Sequence, residues 1–397
     1  MNISLIALTV AGSFGRSPLI AGQSLHSHFF DIKLISSAFS HSFSTILYSR
    51  QFSNFHDSIL LDRSQFKNIL DSAVKLRTDD ENVKDKTFSK TYSNDGKYSS
   101  LEVSQCLFLK CSSDKNGGGI NIGSDKSETK LTISDTGFYQ CKANGKGDAF
   151  YCQTGSITCK QSCIDECRNN AFFASENSDS LFDQFFISHS KLDSEISKSA
   201  NSLKLSNLNL SKNTGTIIIS ATCSQPTVEK CDFYMNVGDN LLKFTGKYST
   251  MEISNCNFAK NSFTKSIISL GSNTCCELSF SHFIDDLSAT FTDQKTTVTR
   301  CVFSESEEKV KEKFSQDSFI NRFTNEFEKT QTSTNKFAET GNCWNKIPKT
   351  REPIEFNRNT IIAAGGAAVL VIGLLLIICR VCRKRGFTDQ MPLIYTM

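Results

Sequence analysis

The chain has 397 residues, with 44 Lys and Arg against 41 Asp and Glu, 16 cysteines, 32 phenylalanines and five prolines. Charge this balanced excludes a nucleic-acid binder, which needs a clustered basic face, and so few prolines exclude a mucin-like or Pro-rich stalk. The phenylalanines call for a large apolar interior.

Asn2–Ala11 opens the chain with an apolar stretch followed by small residues, and Arg16 sits inside the region. Residues 1–22 are expected to be a signal peptide, cleaved near Gly15 or Gly22. The expectation leans on the membrane anchor at the other end of the chain.

Residues 23–305 carry an internal repeat. Val103-Ser-Gln-Cys106-Leu-Phe108-Leu-Lys-Cys111 has an apolar residue at position 0, a small one at +3, a large apolar one at +5, and Cys or Asn at +8. Val228–Asn236 and Ile253–Asn261 repeat it, as do the copies beginning at Ile133 and Leu205. Weaker copies begin at Cys159, Phe182, Leu278 and Val298, and Leu34 and Leu61 extend the pattern toward the amino terminus. Each copy reads as a short strand followed by a turn. A second apolar segment falls between copies, at Ile120–Ile122, Ala149–Cys152, Ala171–Ala174, Thr216–Ile219, Leu241–Phe244 and Ile267–Leu270.

Strands this short bury a core only when stacked. The expected fold class is therefore all-β, with the ectodomain a right-handed parallel β-helix (a pectin-lyase-like solenoid) and a single transmembrane α-helix after it. At a strand spacing of about 4.8 Å, about eleven coils give a rod of roughly 50 Å. The +5 residues Phe108, Phe138, Leu210, Phe233, Phe258, Phe283 and Phe303 should stack inside it.

Phe233-Tyr-Met-Asn236 and Phe258-Ala-Lys-Asn261 match FxxN, and Gly117-Gly118-Gly119-Ile120 is similar to the GGA[I/L] element. In these motifs the chain resembles the chlamydial polymorphic membrane proteins and the similar β-helix surface families of parabasalid protists. The resemblance covers roughly residues 30–305. It implies surface display and adhesion and carries over no binding residue. The single carboxy-terminal helix, in place of an outer-membrane barrel, favours the protist-like arrangement.

Ser304-Glu-Ser-Glu307 reads as a capping box. Phe314, Phe319, Ile320, Phe323 and Phe327 then fall on one helical face. Residues 306–359 are expected to be a helical cap over the last coil and a juxtamembrane stalk, with Trp344 as an interfacial anchor.

Ile361–Cys379 runs nineteen residues without a charge. At about 1.5 Å per residue this crosses a hydrocarbon core of roughly 30 Å, so residues 360–379 are expected to span the membrane. Arg380, Arg383, Lys384 and Arg385 mark the cytoplasmic side. That orientation makes a type I plasma-membrane protein with residues 380–397 as its cytoplasmic tail. Asp389, Leu393 and Ile394 fit an acidic dileucine sorting signal for a clathrin adaptor. Cys379 and Cys382 are S-acylation candidates, and Ala364 and Ala368 form a small-xxx-small pair.

Fourteen cysteines precede the span and would face an oxidising compartment. Cys111, Cys141 and Cys167 share the +8 column, which reads as an internal thiol ladder. Disulfides compete with that reading, above all at Cys163, Cys275 and Cys276. Cys159, Cys163 and Cys167 lack zinc-site spacing and have no His nearby, so no metal and no cofactor are expected. Asp285-Asp286 is the one carboxylate pair weighed for sugar-bond cleavage, and it reads better as a turn at +7 and +8. No matching Asp or His element was apparent in neighbouring coils, so no catalytic residue is assigned and no enzyme is expected. Lys146-Gly147-Asp148 resembles an integrin-type tripeptide but reads first as a turn. Asn209-Leu-Ser211 is an ectodomain glycosylation sequon, expected to face outward at +4. The expected function is adhesion or ligand binding toward a host-cell, matrix or glycan ligand. An endocytic cargo receptor is the alternative, and a carbohydrate-active enzyme comes third.

Overall fold

The computed structural model of the chain describes residues 2–13, 17–22, 31–49, 58–77, 100–123, 130–153, 156–174, 179–245, 250–271, 274–284, 296–313 and 321–323. Every described strand pairing is parallel; sheets of 14 and 13 strands run along the coils, and sheets of six and two strands line the amino-terminal ones. The parallel β-solenoid expected from the repeat is the observed architecture.

Its register is the register of the sequence repeat. The position-0 residues Leu5, Leu34, Leu61, Val103, Ile133, Cys159, Phe182, Leu205, Val228, Ile253, Leu278 and Val298 pair one on the next in the first sheet. Alternation decides which side faces in: in Ser100–Ser104, Leu101 and Val103 are buried while Glu102 points out.

At +5, Phe39, Phe66, Phe108 and Phe138 stack with ring centroids 5.4, 4.9 and 4.8 Å apart. Ile164, Ile187 and Leu210 continue the column, all buried. Phe233, Phe258, Phe283 and Phe303 resume the stack at 4.9, 4.6 and 5.1 Å. Such ring pairs add about 0.5–1.5 kcal/mol each beyond their burial.

Two corners bend each coil around this column, and both use non-glycine residues in the left-handed region. Gln105, at +2, has φ 52°, and Lys110, at +7, has φ 53°; the same two positions recur in neighbouring coils, as at Asp135 and Gln140. Each costs about 1–2 kcal/mol in backbone strain, offset by hydrogen bonds between coils.

The +2 amide of Gln105 donates forward to Ser134 O at 3.0 Å, and the +4 amide of Leu107 donates backward to Ser64 O at 2.9 Å. The +3 amide between them therefore has no backbone partner, and a side chain of the next coil takes it. Cys106 N donates to Thr136 Oγ1 at 3.3 Å, Thr136 N to Ser162 Oγ at 3.1 Å, and Cys256 N to Ser281 Oγ at 3.1 Å. Each hydroxyl in turn donates to its own i−2 carbonyl, as Thr136 does to Ser134 O at 2.8 Å. Where +3 is Ser or Thr, its hydroxyl takes an amide whose burial unpaired would be costly; the Phe182 and Leu205 coils place Phe185 and Leu208 there instead.

The +8 column solves the same problem at the second corner. Ser190 N donates to Asn213 Oδ1, Asn213 N to Asn236 Oδ1 and Asn236 N to Asn261 Oδ1, at 3.1, 3.1 and 3.0 Å. Each Asn Nδ2 donates back to the +5 carbonyl of the preceding coil, for example Asn236 to Leu210 O at 2.8 Å. The FxxN motif is thus one stacking ring and one ladder amide.

The solenoid reaches beyond residues 23–305 on both sides. Asn2–Ile6, Thr9–Ser13 and Ile20–Gly22, within the segment expected as a signal peptide, form three strands paired with the following coil. Leu5, Leu8 and Val10 sit at 0, +3 and +5 and pack against the core, which explains why this apolar stretch fits a coil.

At the other end the described helix is short, Glu307–Lys313, with Glu307 and Glu308 in its first turn. Val310 N donates to Ser306 O, so the helix starts two residues later than the capping box at Ser304 implied. Phe323 is not on a helical face: Arg322–Phe323 is a strand, and Phe323 stacks on Phe303 at 6.0 Å. The helix is an insertion after which the coil path resumes. Phe314, Phe319, Ile320 and Phe327 lie outside the described residues.

The thirteen described cysteines are all free thiols, so the competing disulfide reading of Cys163, Cys275 and Cys276 finds no support. They fill interior corner and strand positions, and only Cys275 is exposed. Among the described residues no helix is long and apolar enough to cross a membrane, and residues 360–379 lie outside them.

Candidate ligand-binding face

With the interior positions committed to stacking and ladders, chemistry is left to the outward ones. Positions +4 and +6 lie on the second sheet, and +7 is its left-handed corner. In three successive coils, +6 and +7 are Tyr139-Gln140, Asp165-Glu166 and Ser188-His189, with Tyr139 paired to Asp165 and Asp165 to Ser188.

These side chains form one network. Glu166 Oε1 accepts from the Tyr139 hydroxyl at 3.0 Å, and its Oε2 accepts from Gln140 Nε2 at 2.5 Å. Asp165 Oδ1 accepts from Ser188 Oγ at 2.6 Å and from His189 Nδ1 at 3.1 Å. Asp165 is buried, while the His189 side chain is 51% exposed.

The bond from Gln140, with that from Tyr139, holds the Glu166 carboxyl below the usual carboxylate range, and Arg168 nearby adds to the effect. Loss of water, reinforced by Glu166, pushes the Tyr139 phenol up, so its hydroxyl remains a donor. In the neutral ring, the Nδ1 bond to Asp165 leaves Nε2 as the acceptor on a half-exposed side chain. The arrangement supplies directed hydrogen bonds, one exposed proton acceptor and one aromatic ring. Among the described residues no group of three or more metal ligands occurs.

The sequence reasoning missed this cluster. These residue types change from coil to coil, so no recurring motif marks them. Reading the +6 and +7 columns of adjacent copies side by side would have found it.

Other predicted positions fare differently. Asn209 lies at +4, half-buried, with a buried Oδ1 that has no hydrogen-bond partner. Asp148, of Lys146-Gly147-Asp148, is fully buried and unavailable to a partner. Its carboxylate accepts from Ala143 N at 2.7 Å, Asn169 N at 2.6 Å and Asn170 N at 3.3 Å, and burial pushes its pKa up.

Gly147-Asp148-Ala149-Phe150 occupies the same corner as Gly117-Gly118-Gly119-Ile120 in the preceding coil, with Ile120 paired to Phe150. A Cβ at Gly118 would fall 2.4 Å from Asp148 O and 2.6 Å from Lys142 O, which explains the glycine. Asp285, Asp286, Cys379, Cys382, Asp389, Leu393 and Ile394 lie outside the described residues.

Comparison of the chain with protein-family models, curated protein sequences and solved structures gave no match.

Proposed function

We propose that this chain is a single-pass type I surface protein whose β-solenoid ectodomain acts in adhesion or ligand binding. The observation that carries the reading is a division of labour. Interior columns at 0, +3, +5 and +8 hold the coils together, while the side chains at +6 and +7 differ in successive coils. A long parallel solenoid with such a face suits recognition spread over many turns.

The apolar Ile361–Cys379 segment and the basic cluster after it support membrane anchoring, with the amino-terminal region outside the cell. The FxxN resemblance to the polymorphic membrane proteins and parabasalid surface families supports adhesion. A host-cell, matrix or glycan ligand is the expected partner. The tail residues Asp389, Leu393 and Ile394 favour one second reading, a cycling cargo receptor engaging a clathrin adaptor.

The test uses cells displaying the epitope-tagged full chain. A resident adhesin predicts raised attachment to host cells or matrix, with a stable surface signal that Leu393→Ala/Ile394→Ala leaves unchanged. Rapid antibody uptake blocked by the double substitution selects the receptor. No gain in attachment together with no uptake overturns both readings.

A further inference from the structure

The geometry points to a binding site for a neutral oligosaccharide on the face formed by Tyr139, Gln140, Asp165, Glu166 and His189. This rests on the ligand-binding reading above and names the ligand class.

The network leaves several acceptor atoms open. Asp165 uses Oδ1 for both of its bonds, and Gln140 uses Nε2 for both of its own, to Glu166 and to the Tyr139 hydroxyl. Asp165 Oδ2, Gln140 Oε1 and His189 Nε2 therefore have no partner among the described residues. All three are acceptors.

A ligand for this face must bring donors, and it must not be an anion, because two carboxylates stand beside the open positions. Arg168, close enough to act on both Glu166 and Tyr139, opposes a simple cation. A polyhydroxylated, uncharged molecule meets both conditions.

The aromatic ring points the same way. The Tyr139 hydroxyl is tied to Glu166, which fixes the ring at the edge of the acceptor cluster. A pyranose has an apolar C–H face and a rim of hydroxyls. A fixed ring beside planar acceptors matches both parts.

The cluster is also pre-organised. The cross-coil bonds hold every side chain in place before a ligand arrives, which limits the ordering entropy lost on binding. The groups sit on adjacent coils about 4.8 Å apart, close to the length of one pyranose unit in an extended chain. A linear glycan running along the rod would meet one polar pair per sugar.

The experiment uses the full-length protein in detergent, with fluorescein-labelled cellohexaose and tri-N-acetyllactosamine as neutral probes. A heparin hexasaccharide and a tetralysine peptide test anionic and cationic ligands. At least one neutral probe is expected to bind more tightly than either charged probe. Tyr139→Ala and His189→Ala should each weaken it about tenfold or more, while Glu102→Gln on the first sheet should not. Unfolding midpoints check each variant. Should Tyr139→Ala fail to fold, exposed His189→Ala carries the test.

Absence of neutral-probe binding, tighter binding of a charged probe, or unchanged affinity in the variants overturns the inference. Its failure is separable from failure of the adhesion reading: attachment that persists in His189→Ala cells sinks only the glycan site. Probe binding by a chain that never reaches the cell surface sinks only the surface role.

Discussion

The two halves of the +8 column invite comparison, because one structural task is met there by two chemistries. Between Ser190 and Asn261 the corner amides are taken by Asn carboxamides, which also return a bond to the +5 carbonyl. Between Ile69 and Cys167 the same amides meet sulfur: Ile69 faces Cys111, Cys111 faces Cys141 and Cys141 faces Cys167. Cys141 Sγ lies 3.5 Å from Phe108 O, where Asn236 Nδ2 reaches Leu210 O at 2.8 Å. Sulfur is a weak donor and a weak acceptor, so the cysteine stretch makes the same connections more softly. At this corner Asn, Ser and Cys each give and take a hydrogen bond in a small volume, and Ile69 marks a coil that does without one.

Substitution tests this contrast directly. Asn236→Ala strands Leu210 O and the Asn213 amide in a dry interior and should lower stability by about 3 kcal/mol. Cys141→Ala removes weaker bonds and should lower it by about 1 kcal/mol. Urea unfolding of the two variants measures the difference, and equal losses would mean that the two stretches do not differ as described.

Thiol chemistry sharpens the comparison without changing the fold. Burial pushes the Cys106, Cys223 and Cys301 thiols up to about 12. Native labelling with iodoacetamide at mildly alkaline pH should therefore modify Cys275 alone among the described cysteines. Modification of Cys106 or Cys301 before unfolding would show that the interior opens.

The smallest effect belongs to the outward face. Glu166→Gln should change stability by no more than about 1 kcal/mol, since exposed polar pairs contribute little. The folded pKa of Glu166 is depressed. Its contribution is therefore present above the ordinary carboxylate value and lost as pH falls through the lower folded one. Unfolding of wild type and Glu166→Gln should differ at neutral pH and converge in acid.

The register of the solenoid was legible because a buried column constrains residue size. An apolar residue at 0, most often a small polar residue or Cys at +3, and Phe or an aliphatic residue at +5 recur in the stacked coils. Leu5, Leu8 and Val10 keep the 0, +3 and +5 spacing with aliphatic residues alone, so the coil there is hard to tell from a plain apolar stretch. Phe323 was hidden because the helix at 307–313 lengthens its coil and lends a helical period to the residues after it. Gln105 and Lys110 gave no sign of their left-handed backbone, since neighbours rather than side-chain type impose it. The outward cluster at Tyr139, Glu166 and His189 was the hardest to see, because no packing rule repeats at surface positions.

The proposed surface role requires the solenoid outside the cell and the tail inside. It is tested most directly by two epitope tags on the full chain, one between Asp114 and Lys115 in an exposed turn and one after Met397. On intact cells the account predicts that antibody reaches the first tag at once and the second only after permeabilisation. A turn tag that stays hidden until the membrane is opened would contradict it.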